Sequence, residues 1–190
     1  MNFAVDVVEA ADAEGVALVE LDRAGGRREH RFGAVAQAVR TMAAELHGHG
    51  VRRGDVVLTL AGNQPDWVVA MVACFRQGFV VLPCTEQLRA KDLRLRLGVT
   101  RPVAVVADRR NADVLAEAGW DGPTIWGPGV MARPAPAPGD VPPAADLAPL
   151  DPCLITFTSG TAGEPKAVLH GQRYLDGQQL QAESQCSAWS

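Results

Sequence analysis

Nine consecutive residues near the C-terminal end hold the groups best suited to chemistry: Thr158, Ser159, Gly160, Thr161, Ala162, Gly163, Glu164, Pro165 and Lys166, directly after the run Leu154–Phe157. Gly160 and Gly163 permit positive φ and let backbone approach a ligand closely. The hydroxyls of Thr158, Ser159 and Thr161 can donate to phosphate oxygens. Consecutive N–H groups in such a turn form an anion nest. Lys166 adds a compact, mobile positive charge. The chain has 16 Arg and only two Lys, Lys91 and Lys166, so a lysine at this place departs from its habit. Together these groups suit the polyphosphate of a nucleotide. A polar hairpin turn is the plain alternative, and a single Gly- and Thr-containing loop is a turn by default. The combination of two glycines, three hydroxyls, a proline and the lysine after a buried strand is what points to binding. A Walker A loop is excluded, because it needs Gly-Lys-Ser/Thr opening a helix. Here Glu164-Pro165 separate Gly163 from Lys166, and Ala167–His170 reads as strand.

The elements that must position this loop are legible from hydrophobic period and punctuation. Residues 3–13 carry apolar residues at helical spacing. Val16–Asp22 and Arg28–Phe32 read as two strands of a hairpin around Gly25-Gly26. From Gly33 to His47, Val35, Val39, Met42, Ala43 and Leu46 share one helical face, and Gly48 and Gly50 stop the helix. Then strands and helices alternate: strand 55–62, helix 64–78 with Pro65 in its first turn, strand 79–83, helix 89–97, strand 102–108, helix 111–119 with Asn111 as N-cap, strand 123–126. That alternation predicts an α/β layer with a largely parallel sheet flanked by helices. Residues 127–149 are rich in Pro and Ala without hydrophobic period and read as a linker or surface loop. Cys153–Thr158 is a strand, the loop follows, Ala167–His170 is a second strand, and a helix begins at Gln172. The expected division is an α/β subdomain over 1–126, a linker over 127–149, and the start of a next subdomain carrying the loop over 150–190.

Composition sets the outer limits. A chain of 190 residues with 47% hydrophobic residues suits one domain, or one and a part. A net charge of −4 gives no reason to expect nucleic acid. The cysteines, Cys74, Cys84, Cys153 and Cys186, form no CxxC pair; the first three sit in apolar surroundings and read as small core residues of a reducing compartment. No metal-ligand spacing is found. The acidic N-terminus lacks a basic n-region, so no signal peptide is expected. The apolar stretch Trp67–Phe75 is too short to span a bilayer. A soluble cytoplasmic protein is the expectation. Trp67, Met71 and Phe75 recur at helical spacing and are expected in the core. The Arg-rich run Arg89–Arg101, with Lys91, is expected to be a solvated helix face. His170, at a strand end beside the loop, is expected to be a satisfied structural residue, and Cys84 a structural one.

The segment Thr156–His170, "TFTSGTAGEPKAVLH", resembles the phosphate-binding signature of the AMP-forming adenylating enzymes: acyl-CoA synthetases, luciferases and peptide-synthetase adenylation domains. Residues 52–97 are similar to the first α/β subdomain of that family. Within it, Leu82–Leu88 and Lys166–Glu183 look most like bacterial medium-chain acyl-CoA synthetases. The resemblance implies that a carboxylic acid, with a fatty acid as the expected one, reacts with ATP and coenzyme A to give acyl-CoA, AMP and pyrophosphate, with Mg2+ accompanying ATP. It assigns Thr158, Ser159, Gly160, Thr161, Ala162, Gly163 and Lys166 to the β- and γ-phosphates. Ala162 replaces a residue that is often Thr, which removes one hydroxyl and keeps the N–H.

The resemblance covers about the first third of such an enzyme. No Tyr-Gly-x-Thr-Glu run, ribose-binding Asp motif, hinge or adenylation lysine is present, so no residue here is assigned a catalytic role. The sequence ends "QAESQCSAWS" without a capping pattern, and the expectation is a truncated N-terminal part, inactive alone. The alternative is a non-catalytic nucleotide-binding module, or one completed by a partner supplying the C-terminal half. Strands around Ile155 and Val168 are expected to lack neighbours, an aggregation hazard.

Overall fold

The runs Val56–Leu60, Val80–Cys84 and Ala104–Asp108 are almost wholly apolar because both of their faces are covered, as parallel strands require. In the computed structural model, which describes residues 1–22, 24–137, 139–158 and 165–186, they form the centre of a six-stranded sheet. In chain order the elements are β1 (Val16–Leu21), β2 (Arg27–Arg31), α1 (Phe32–Gly48), β3 (Val56–Leu60), α2 (Pro65–Gln77), β4 (Val80–Cys84), α3 (Ala90–Thr100), β5 (Ala104–Asp108), α4 (Ala112–Glu117), β6 (Thr124–Gly127), β7 (Pro152–Thr158), β8 (Lys166–Gly171) and α5 (Arg173–Cys186). The sheet order is β6-β5-β3-β4-β7-β8, and β1 and β2 form a separate hairpin. Every pairing within β3–β7 is parallel, and β7 meets β8 antiparallel. The fold is therefore the α/β, largely parallel sheet that the alternation predicts.

Successive residues of each strand feed opposite cores. Val57 and Val81 join Val39, Met42, Leu46 and Val69 under α1 and α2, while Leu58 and Leu82 join Leu93, Val105 and Leu115 under α3 and α4. Met42, Leu46, Leu58 and Leu82 are essentially sealed from solvent, each contributing about 1.5–3 kcal/mol on transfer. Gly78 ends α2 with φ +66, and the N–H of Phe79 returns to the Cys74 carbonyl at 2.9 Å. A Cβ there would lie 2.9 Å from Leu147, so Gly78 also makes room for the segment that leads to β7.

Several boundaries differ from the sequence reading. Residues 3–13 yield only a π-helical turn, Ala4–Glu9, because the chain bends at Asp12, whose carbonyl accepts from Gly15 N–H at 2.9 Å. Helix α3 runs through Gly98 to Thr100, whose hydroxyl donates to the Arg96 carbonyl at 2.7 Å, and ends where Arg101 turns left-handed. Asn111 occupies the N-cap position of α4 without capping it; its amide donates instead to the Glu86 carbonyl at 2.8 Å. Ile155 does not lack neighbours: β7 lies between β4 and β8, and only β8 is outermost on that side.

The segment 127–149 follows the body of the molecule, held by hydrogen bonds that have no hydrophobic period. The Asp66 carboxylate accepts from Gly129 N–H at 2.7 Å and Val130 N–H at 3.1 Å. Arg76, only 7% exposed, donates to the Pro142 carbonyl at 2.7 Å and pairs with Glu9 at 3.0 Å. Gln77 reaches the same carbonyl at 3.2 Å, and Asn2 donates to the carbonyls of Arg76 and Ala145 at 3.0 Å each. Removing a buried donor strands its acceptors. Arg76→Met is therefore expected to lower stability by about 1–3 kcal/mol in urea unfolding and to speed proteolysis within 134–146. Arg40→Met, which removes the outer partner of Glu9 at 3.5 Å, is expected to cost less than about 1 kcal/mol.

Candidate functional site

Because β3, β4, β5 and β7 are parallel, their C-terminal ends share one edge of the sheet, and the loops that follow them converge there. From β3 the chain places β4 on one side and β5 on the other. In α/β sheets ligands bind outside the strand ends. Outside the ends of β3 and β4 lies a cleft of about 320 Å³ lined by residues that include Gly62, Asn63, Trp67, Thr85, Glu86 and Gln87. Gly62 leaves room for Glu86: a Cβ would stand 2.1 Å from its carboxylate oxygen, and the side chain would have to move aside. The loop after β4 is tied down by Asn111 on the Glu86 carbonyl and by Arg110, which pairs with Asp108 at 2.9 Å and Glu86 at 3.4 Å. Trp67 lines this cleft instead of joining the core, unlike Phe75, which is buried, and Met71, which packs against the core. Helical spacing could not separate them, because Trp67 lies in the first turn of α2, at the open edge.

The expected phosphate-binding residues stand at the same edge. Thr158 is the last residue of β7 and Lys166 the first of β8, and the two are partners in the antiparallel ladder. Both are exposed. Among the described residues, no carboxylate pairs with Lys166. The expected Ser159, Gly160, Thr161, Ala162 and Gly163 lie outside the described residues. A hydroxyl and an ammonium group are thus held side by side at the mouth of the intervening loop, an arrangement suited to phosphate oxygens.

His170 is the satisfied strand-end residue expected: its Nε2 lies 3.0 Å from the Thr156 hydroxyl, and its ring packs 4.6 Å from that of Tyr174. Lys91 and Arg94 are solvent-facing. Arg96 is not: it is partly buried, with its guanidinium 4.8 Å from the centre of the Phe157 ring. Sequence reasoning placed it among the solvated residues; its i+3 spacing from the fully buried Leu93 was the available signal.

Cys74, Cys84 and Cys153 are buried free thiols. Burial pushes Cys84 up to about 12, with the Arg96 charge opposing, and Cys153 up to about 11; burial also raises Cys74 well above the ordinary thiol range. Folding thus favours the protonated thiols. Their contribution is fully present below the unfolded value near 9 and is lost as pH climbs toward the folded values. Two outcomes are expected. Peptide mapping after iodoacetamide at about pH 8 finds these three thiols unmodified in the native chain, and stability falls as pH rises from about 9 toward the folded values of about 11 and about 12, less steeply in Cys84→Ala.

A sequence model of the family described as AMP-binding enzyme matches residues 7–189. The mitochondrial acyl-coenzyme A synthetase ACSM5 of Mus musculus is 32% identical over 135 residues, covering 65% of this chain and 23% of that protein. The fatty acid–[acyl-carrier-protein] ligase MmaC of Mycobacterium marinum is 30% identical over 181 residues, covering 88% of this chain and 33% of that protein. The crystal structure of an acyl-CoA synthetase from Brucella canis superposes with a TM-score of 0.78 at 24% identity over 92% of this chain and 34% of its own, a likeness of fold. The chain thus spans about a third or less of the length of these relatives. No helix among the described residues is long and apolar enough to cross a membrane.

Proposed function

Because the chain belongs to the family of AMP-binding enzymes, its sheet forming the N-terminal α/β subdomain of an adenylate-forming enzyme, we propose that the β7–β8 hairpin holds the polyphosphate of ATP for an acid–thiol ligase. The observation that carries this reading is the pairing of Thr158 with Lys166 at the edge where the parallel strands end. The reaction is the AMP-forming synthesis of acyl-CoA. A carboxylate oxygen attacks the α-phosphorus of ATP, the bond to the β-phosphate oxygen breaks, and pyrophosphate leaves. The sulfur of coenzyme A then attacks the acyl carbon of the adenylate, AMP leaves, and the thiol proton is released. Two anions must meet in the first step, and negative charge accumulates on the leaving pyrophosphate. Lys166 offsets that charge, and the Thr158 hydroxyl donates to a phosphate oxygen, so the leaving group is oriented before the bond breaks.

The remaining loop residues, Ser159, Gly160, Thr161, Ala162 and Gly163, complete the cradle in this proposal. Magnesium arrives on the nucleotide. Among the described residues no three His, Cys, Asp or Glu side chains are grouped to hold a metal, and the donors of Thr158 and Lys166 suit phosphate oxygens. A fatty acid is the acid of this proposal and a reducing cytoplasm its compartment, in keeping with three buried free thiols. In this proposal the 190 residues bind nucleotide and do not turn over by themselves; the one lysine outside the hairpin, Lys91, is exposed on α3. A second reading, a nucleotide-binding module completed by a partner, is favoured by the hairpin being built into the main sheet.

Calorimetry with MgATP tests the reading. The wild-type chain is expected to bind and Lys166→Ala to bind at least about tenfold more weakly, as for loss of a charged phosphate contact. No heat from the wild-type chain rejects polyphosphate binding. AMP formed by the isolated chain from a fatty acid, ATP and coenzyme A contradicts its inactivity, and AMP formed only when a co-purifying partner is added favours the second reading.

A further inference from the structure

The C-terminal end of β7 is weakly held on its inner side. The β3–β4 ladder runs from Val56–Val80 to Leu60–Cys84, whereas β7 is in register with β4 only at Val81–Leu154. Beyond Leu154 the backbone of β7 pairs with β8, down to Phe157–Ala167 and Thr158–Lys166. Side-chain contacts therefore fix the strand end, and Ile155 and Phe157 supply part of them by packing into the core beneath α3 and α4.

Arg96 is placed to do so. Its guanidinium lies on the Phe157 ring at 4.8 Å, one residue before Thr158. Its Nη1 donates to the Asp92 carbonyl at 2.9 Å, which anchors the side chain to its own helix. Among the described residues it has no carboxylate partner, while Arg53 and Arg76 each pair with one and Arg110 with two. Its charge also reaches Cys84, at the end of β4, where it opposes the effect of burial on the thiol. Arg96 thus sits between the ends of β4 and β7. A guanidinium stays protonated at every working pH and attracts an aromatic face. It contributes a second positive charge on the α3 side of the strand whose partner carries Lys166.

We propose that Arg96 is a positioning residue: stacked on Phe157, it fixes the C-terminal end of β7, and with it the alignment of Thr158 and Lys166 on which polyphosphate binding depends. The inference rests on the polyphosphate reading of the hairpin, and two separate measurements keep their fates apart. The first is amide hydrogen exchange at Phe157, Thr158 and Ala167 without nucleotide, with Val57 and Leu58 in β3 as internal reference. The second is MgATP affinity by calorimetry on the same chains.

Arg96→Met is expected to speed exchange at the strand end about fivefold, leave the β3 amides unchanged, and weaken MgATP about fivefold, the scale of a partly desolvated cation–aromatic contact. Arg96→Lys keeps a cation over the ring and is expected to recover most of both effects. Phe157→Leu also loses packing against the core and is expected to speed exchange at least as much as Arg96→Met, with the double variant no worse than Phe157→Leu alone, because the shared contact is then already lost. Unchanged exchange at Phe157 and Ala167 in Arg96→Met overturns the proposal. If MgATP weakens while exchange is unchanged, Arg96 meets the nucleotide directly, and the positioning role is also overturned. If the wild-type chain gives no heat with MgATP, the polyphosphate reading fails, and exchange alone then decides whether Arg96 holds the strand end.

Discussion

The register of Val81 in β4 with Leu154 in β7 ties the hairpin into the sheet, and Cys153, Leu154 and Ile155 carry it into the two cores. The sheet up to β6 grows toward one side, from β3 through β5 to β6, and leaves the outer edge of β4 open. Strand β7 returns to that edge from the far side of the sheet. Its parallel direction sends Thr158 out at the same edge as the ends of β3, β4 and β5, and its antiparallel partner brings Lys166 back beside Thr158. Were β7 to enter antiparallel to β4, the same nine residues would open at the opposite edge, away from the crevice between β3 and β4.

The crossing segment is fixed in a way that matches this role. Residues 127–149 bury few side chains, Val130 and Leu147 among them, and are positioned instead through backbone groups. Asp66 receives two amide donors at one end, and Arg76 and Gln77 grip a carbonyl near the other. Both holding points lie on α2, whose first turn also supplies Trp67 to the cleft. A single helix thereby sets the path of the chain into β7 and shapes the crevice beside it, so the two parts of the edge share a rigid support.

Much of this was legible in the sequence. The strands of the central sheet declare themselves as short apolar runs, and Pro65 and Gly78 bracket α2 as expected from their backbone preferences. The hairpin was legible from the two strands around a Gly- and Thr-rich stretch. What could not be read is what depends on distant partners. The period of residues 3–13 suggests a helix, yet the chain turns at Asp12 and leaves only the π-helical stretch Ala4–Glu9. Asn111 looks like a cap until the loop after β4 offers it a carbonyl. The segment 127–149 has no period because its order comes from hydrogen bonds to buried polar side chains. Arg96 is hidden in a run of charged residues, and only the return of β7 puts Phe157 beneath it. Strand order is likewise silent in the sequence, since the neighbour of β7 is decided by a long crossover.

The place of β7 in that order also has a temporal meaning. During synthesis from the N-terminus, the residues of β3 through β6 are all added before residue 152. Throughout that interval β4 is a border strand, with the hydrogen-bonding groups of Val80, Val81 and Leu82 uncovered along one side of an otherwise finished sheet. Such a border is a template for foreign strands, and a non-local partner reaches it late. A sheet of β3 to β6 alone would be adhesive along β4, and the arrival of the β7–β8 hairpin covers that border.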